Sequence, residues 1–341
     1  FESDRAADET AAAAETAHAI GSVHSQTILD DEWGSLLFHG WLKSADRPSI
    51  DGLNTYVVSE VVKNRGVTVA LSGIGADELF GGYAQFRGVP KLRRWLGMAG
   101  FIPAGMRQTV ARLLLSRMPR SKREKAIDLI SARPTALDLA LAMRRILFTS
   151  DLNRLGLSAR GLGLSPAYLP QAAYELLGDL DADDFRTISR AECVFYMGNT
   201  LLRDADVNSM AHSLEVRVPF LGRTISETAS SFPGSLQAPR GAAAKHLLRQ
   251  AMQKDLPTSV FERRKVGFTL PIGEWMTTSC KDLCQAAIDS LASCSLIDGD
   301  GVRAVWESFA GPTSANWYRR LGMVAMGSYL QRSRSDRRFA A

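Results

Sequence analysis

The segment from Val67 to Tyr83 constrains this chain more than any other part of it. The β-forming run Val67-Thr-Val-Ala-Leu71 leads straight into Ser72-Gly73-Ile74-Gly75, and an acidic, helix-competent stretch follows. Strand, glycine loop and helix start in that order are the local pattern of an open parallel α/β layer, with the strand expected to be buried. Glycine lets the backbone come close to a ligand, and a helix start adds partial positive charge, so such a loop can meet phosphate oxygens. Asp77 and Glu78 stand where a phosphate-bound metal could be held. A plain strand-to-helix turn whose acids cap the helix and complement its dipole fits the same residues.

The flanking sequence extends the pattern. Asp8 to Ile20 is Ala-rich and stops at Gly21, Val23 to Leu29 reads as a short strand, and Asp31 to Lys43 and Leu53 to Asn64 read as amphipathic helices. Beyond Tyr83 no further strand is expected, only helices broken at Pro90, Pro103, Pro119, Pro134, Pro166 and Pro170. The expected division is a nucleotide-binding α/β layer over 1–85, a basic helical insertion over 86–180 and a mainly helical part over 181–341. No apolar run approaches a membrane span. Cys193, Cys280, Cys284 and Cys294 have neither zinc-ligand spacing nor a paired framework, which predicts reduced thiols.

The net charge of +5 is unevenly placed, because Phe86 to Lys125 holds eleven Lys or Arg and one acid, Glu124. Such a stretch could meet nucleic acid or an anionic membrane surface. A solvated insertion explains it as well, since Leu113, Leu114, Leu115 and Met118 alternate with Arg112 and Arg117 as on amphipathic helices. No aromatic stacking platform accompanies the charge, so neither nucleic acid nor membrane is the favoured partner.

Two further blocks are unusual. Leu201 to Leu221 reads as the end of a buried helix running into an extended exit at Pro219, with Arg203, Asp204, Asp206, Glu215 and Arg217 set among apolar residues. So many charges in a core-like context must pair with each other or face a ligand. Lys245-His-Leu-Leu-Arg249, then Arg263-Arg-Lys-Val-Gly-Phe268 and Pro271-Ile-Gly-Glu-Trp275, place cations ahead of an aromatic-rich segment. An ordinary basic helix and a solvated loop would look the same.

Taken together, the three blocks resemble the synthetase domain of glutamine-hydrolysing asparagine synthetases of the bacterial B type. The family run Leu-Ser-Gly-x-Gly-x-Asp-Glu-x-Phe-x-Gly-Tyr is matched by Leu71 to Tyr83. The run Leu-Leu-x-x-x-Asp-x-x-Ser-Met-Ala-x-Ser-x-Glu-x-Arg-x-Pro-Phe-Leu is matched by Leu201 to Leu221. Lys-x-x-Leu-Arg, then Arg-x-Lys-x-Gly-Phe-x-x-Pro-x-x-x-Trp, is matched by Lys245 to Trp275. The resemblance implies an adenine-nucleotide (PP-loop ATPase-like) α/β fold with a large helical remainder, acting on aspartate with ATP and Mg²⁺. It implies nucleotide contacts from Leu71, Ser72, Gly73 and Gly75, and a metal ligand in Asp77. Lys265 would lie over the α-phosphate or the developing oxyanion, Lys245 over the leaving pyrophosphate, and Asp206 near the substrate or in proton transfer. Glu215 and Arg217 are expected to form a structural ion pair.

The same resemblance implies a cytoplasmic enzyme, compatible with a homodimer, whose N-terminal glutaminase domain supplies the ammonia. The chain opens at Phe1 without that domain and without the Ser-Gly-Gly-x-Asp-Ser loop, so it is expected to be a piece lacking the first strands of the sheet. By itself that piece is expected to be inactive and poorly soluble. Ile74 departs from the pattern: it occupies a catalytic position where many relatives carry Glu, and isoleucine can neither take a proton nor bind an ammonium group. Either Asp206 or Glu78 replaces that acid, or the acceptor is a carboxylate other than aspartate. A basic nucleic-acid-binding module and a non-catalytic remnant are the readings from other classes.

Overall fold

The computed structural model describes residues 10–98, 102–177, 183–262, 270–310 and 316–339. Helix α1 (Thr10–Ala19) precedes α2 (Asp31–Ser44) and α3 (Gly52–Asn64), all where the periodicity places them. Asp30 caps α2 by accepting the Trp33 N–H at 2.7 Å. The helix buries Gly34, Leu37, Phe38, Trp41 and Leu42, a spacing that lines one face. The expected strand at Val23–Leu29 does not form, and Val23 is fully exposed. An extended segment needs a partner strand for its N–H and C=O groups. This one is held instead by Arg65 Nη2, which donates to Gln26 O at 3.1 Å and Thr27 Oγ1 at 3.0 Å.

Strand β1 (Val69–Leu71) is shorter than its sequence run. Downstream come α4 (Ala76–Phe80), α5 (Gln85–Met98), α6 (Ala104–Leu114), α7 (Arg120–Ser131), α8 (Ala136–Arg144), α9 (Thr149–Arg154), α10 (Gln171–Glu175) and α11 (Asp184–Ala191). A π-helical stretch, Glu192–Leu201, then joins α11 to α12 (Leu202–Met210). Strand β2 (Glu215–Arg217) follows and pairs parallel to β1, with Val69 opposite Glu215 and Leu71 opposite Arg217. This strand was not expected; three residues are too few for a period-2 pattern to show. Nor is β1 buried on both sides. Ala70 and Val216 are half-buried, while on the other face Leu71 is 75% exposed and Val69 40%. Among the described residues the sheet has these two strands alone, and no second layer covers that face.

The main core joins α2 and α3 to the C-terminal helices. Leu37, Phe38, Trp41, Leu53 and Val57 pack with Trp275, Ile288, Val302, Leu321 and Val324. The approach is close enough that a Cβ on Gly34 would collide with the Trp275 ring. A second core lies among α5, α8 and α11, built on Phe86, Val89, Leu96, Leu139 and Ile188. Helix α5 runs through Pro90 without breaking. Phe86 and Val89 before the proline and Leu96 after it are buried, and that burial outweighs the ~3 kcal/mol a helix-interior proline costs. Pro103, Pro119 and Pro170 stand at helix starts, as expected of breakers.

The basic stretch is partly turned inward. Lys125 donates to the carbonyl oxygens of Ala142 at 2.8 Å and Met143 at 2.7 Å, satisfying the end of α8. Burial, with Arg319 nearby, pushes its ammonium group down to about 8. Arg93 pairs with Asp184, and Arg120 with the buried Asp151. On α6, by contrast, Met106, Val110, Leu113 and Leu114 are exposed. No helix among the described residues is long and apolar enough to cross a membrane. All four thiols are free.

Candidate functional site

At the C-terminal end of β1 the chain turns through Ser72 to Gly75 into α4. The Ser72 N–H donates to Arg217 O at 2.8 Å, which ties the loop to β2. Gly75 has φ +98°, and a Cβ there would meet Leu221 Cδ2 at 2.5 Å, so both conformation and space require glycine. Gly73 is exposed with nothing near its missing Cβ, which leaves its backbone open to a ligand. Ile74 is half-buried beside it, and Leu71 points into solvent. Helix α4 spans only five residues, so its dipole is small and the backbone groups of the loop matter more.

Asp77 projects from the first turn of α4, and Lys245 Nζ lies 3.1 Å from its Oδ1. Two blocks far apart in sequence thus meet at one ion pair. Lys245 sits just before the helix His246–Met252 with φ +56°, a strained conformation for a residue with a side chain. Gly82 completes the arrangement. A Cβ at that position would collide with Asp77 Oδ1 and lie 2.7 Å from Lys245 Cε. Sequence reasoning gave Gly82 no role, although the Gly81-Gly82 pair signals a close approach.

The remaining expected residues are dispersed. Asp206 is exposed on α12, two positions beyond the buried Asp204. Lys265 lies outside the described residues. Arg217 Nε pairs with Glu215 Oε1 at 2.8 Å, and both side chains are more than half exposed. Among the described residues no group of three or more His, Cys, Asp or Glu could hold a metal. Asp77 therefore offers one carboxylate, which suits Mg²⁺ when substrate phosphates and water supply its other ligands.

Behind the loop lies a chain of buried polar contacts. Glu78 is 1% exposed; its Oε2 accepts the Gly75 N–H at 3.1 Å, and its Oε1 accepts the Tyr83 hydroxyl at 2.5 Å. Both oxygens are thereby used to shape the loop. Arg144 stacks over Tyr83 and over Tyr196, 3.5 Å from the latter's ring centroid. Its guanidinium donates twice to Glu192 Oε2, from Nε at 2.8 Å and from Nη2 at 2.6 Å. Arg144 and Tyr196 also line a cavity of about 650 Å³, together with Ser49, Asp51, Asp204 and Arg319. Burial raises the carboxyl of Asp51, and burial holds Asp204 up at about 6 against a Ser49 hydrogen bond that lowers it. The sequence showed Asp204 as a charge in a core-like block; Ser49 and Asp51 carried no signal.

Comparison with known proteins adds independent findings. A family profile described as asparagine synthase matches residues 1–332. The Bacillus subtilis asparagine synthetase [glutamine-hydrolyzing] 1 is 28% identical over 313 residues, covering 90% of this chain and 47% of that protein. A Mycobacterium bovis protein provisionally named as a glutamine-hydrolysing asparagine synthetase is 32% identical over 234 residues, covering 65% of this chain and 32% of its own length. The amidase chyE of Penicillium rubens is 23% identical over 306 residues, covering 81% and 43%. The chain thus spans about half or less of the length of the curated relatives it matches.

Proposed function

Because this chain belongs to the asparagine synthase family, we propose that it forms the ATP-using part of an amidotransferase that makes asparagine from aspartate. The observation that carries this reading is the Asp77–Lys245 pair, seated against Gly82 beside an open glycine loop at the end of a parallel strand. In open α/β sheets, ligands sit outside the carboxyl ends of the strands.

The chemistry is carboxylate activation. The aspartate side-chain carboxylate attacks the α-phosphorus of ATP, pyrophosphate leaves, and ammonia then displaces AMP from the acyl-adenylate. The Ser72 and Gly75 N–H groups already donate to Arg217 and Glu78, and the Ile74 N–H donates to Ser72 Oγ at 3.4 Å, so the phosphate contacts of the loop fall to the Gly73 N–H and the Ser72 hydroxyl proton. Lys245 offers its charge to the leaving pyrophosphate, and Lys265 takes the α-phosphate. Preorganised charge of this kind is usually the largest catalytic contribution. Mg²⁺, when bound at Asp77, would neutralise phosphate charge. Asp206 is the exposed acid left for proton transfer, since both oxygens of Glu78 are engaged. On this reading a glutaminase domain supplies the ammonia and further sequence the phosphate-gripping loop, in a cytoplasmic homodimer that a sedimentation run tests.

The test is pyrophosphate release by the full-length protein with ATP, Mg²⁺ and aspartate, with and without ammonia or glutamine. Aspartate-dependent release with asparagine formed is expected. Folded protein that releases pyrophosphate only with a different carboxylate would overturn the choice of acceptor and give Ile74 its explanation. No release with any acceptor would overturn the activity.

A further inference from the structure

The cavity beyond Arg144 and Tyr196 has features that nothing in the nucleotide site uses. Ser72, Asp77 and Lys245 are not among its lining residues. Among its lining residues, Asp204 is 6% exposed and Asp51 lies close enough to disfavour its ionisation. The groups answering these carboxylates are the Ser49 hydroxyl on Asp204 and the Tyr196 hydroxyl on Asp51, with Arg47 and Arg144 acting only through their fields. Arg144 is already committed to Glu192. A buried carboxylate, Asp204, beside a half-buried one, Asp51, with so little cationic compensation calls for a positive ligand.

A second, independent feature comes from another element of the lining. Arg319, from the helix Trp317–Phe339, is 3% exposed, yet its Nε and Nη1 have no hydrogen-bond partner. Its guanidinium rests 3.8 Å from the Phe148 ring centroid, and the nearby Asp151 is taken by Arg120. Buried guanidinium donors without acceptors call for an anionic ligand group. Ile50, Leu147, Phe195 and Met323 are among the apolar lining residues and suit an apolar body, while Asn199 and Thr200 add polar groups.

We propose that this cavity binds a small zwitterion, its ammonium group at Asp51 and Asp204, its carboxylate at Arg319 and an apolar body between them. The proposal is independent of the nucleotide reading, because binding needs neither ATP nor turnover.

The experiment is calorimetry on the full chain without nucleotide, using 4-aminobutyrate, 6-aminohexanoate, 8-aminooctanoate and L-leucine as probes. Hexylamine and hexanoate serve as single-charge controls. At least one zwitterion is expected to bind saturably, and about tenfold or more tightly than either control. Asp204→Asn should weaken that zwitterion about tenfold and leave hexanoate unchanged, while Arg319→Met should weaken it and leave hexylamine unchanged. If Arg319→Met does not fold, the wild-type protein decides: N-acetylating the zwitterion, which removes its positive charge, must abolish binding. Absence of saturable binding by every probe, equal affinity for hexylamine, or full binding of the acetylated compound would each overturn the proposal.

Discussion

Asp77 stands at the open end of the sheet with a lysine ammonium 3.1 Å away, whereas Asp204 is enclosed beside a serine hydroxyl and a second carboxylate. The first is a charge met by a charge, with space reserved around it by Gly82 and exposed backbone in front of it at Gly73. The second is a charge in a wall whose cost is not met within the chain, so its carboxyl is held up at about 6. The difference teaches that the charge at Asp77 is answered within the chain, which suits the phosphate-binding role proposed for that end. The charge in the cavity is left unanswered there, which is the basis for the ligand of opposite charge proposed above.

Substitutions at the two places should behave in opposite ways. The largest effect is expected from Lys245→Met, which leaves Asp77 without its cation and the pyrophosphate without a counter-charge. Aspartate-dependent pyrophosphate release should fall about 100-fold or more, corresponding to ~3 kcal/mol of lost transition-state stabilisation. Gly82→Ala should follow, since its Cβ collides with Asp77 Oδ1 and forces the pair apart. A loss of about 10-fold in the same assay is expected, with a urea midpoint close to wild type; unchanged turnover would mean the pair has no part in catalysis.

At the cavity the sign reverses, and removing the charge should stabilise. The folded state raises Asp204 from 3.8 to about 6, so it holds the proton more tightly than the unfolded chain does. The stability from this group is fully present below about pH 4 and is lost as pH rises through about 6, a swing of ~3 kcal/mol. Asp204→Asn lacks this loss. In urea melts the variant should gain on wild type between about pH 4 and pH 7, and a constant difference across that range would contradict the assignment. The smallest effect is expected from Arg217→Ala, because its partner Glu215 shares an exposed surface. Stability should change by less than about 1 kcal/mol in the same melts.

The two places also differed in how far the sequence disclosed them. Loop residues Ser72 to Asp77 are consecutive, and their chemistry follows from a local strand-glycine-helix pattern. Helices α2 and α3 showed their buried faces through spacing alone. What escaped were features made by distant parts of the chain. β2 is three residues held by pairing with β1, and α5 passes through Pro90 because buried neighbours hold both of its sides. Val23–Leu29 had strand-like residues but no partner, and composition cannot show a missing neighbour. The cavity brings together Ser49, Asp51, Arg144, Asp204 and Arg319 from four separate elements or connections, and no spacing rule links the four. Lys245 stood out in the sequence as a candidate, but its contact with Asp77 and its left-handed backbone did not.

The claim that Asp77, Lys245 and Gly82 form the phosphate end of the nucleotide site is tested most directly by calorimetric titration of the full-length protein with Mg²⁺ and ATP. Wild type and Lys245→Met should be compared at one ionic strength, since charge contacts are screened by salt. Saturable binding by wild type, weakened about tenfold or more in the variant, is the expected result. Equal affinities in the two folded proteins would contradict it and move the phosphates elsewhere in the molecule.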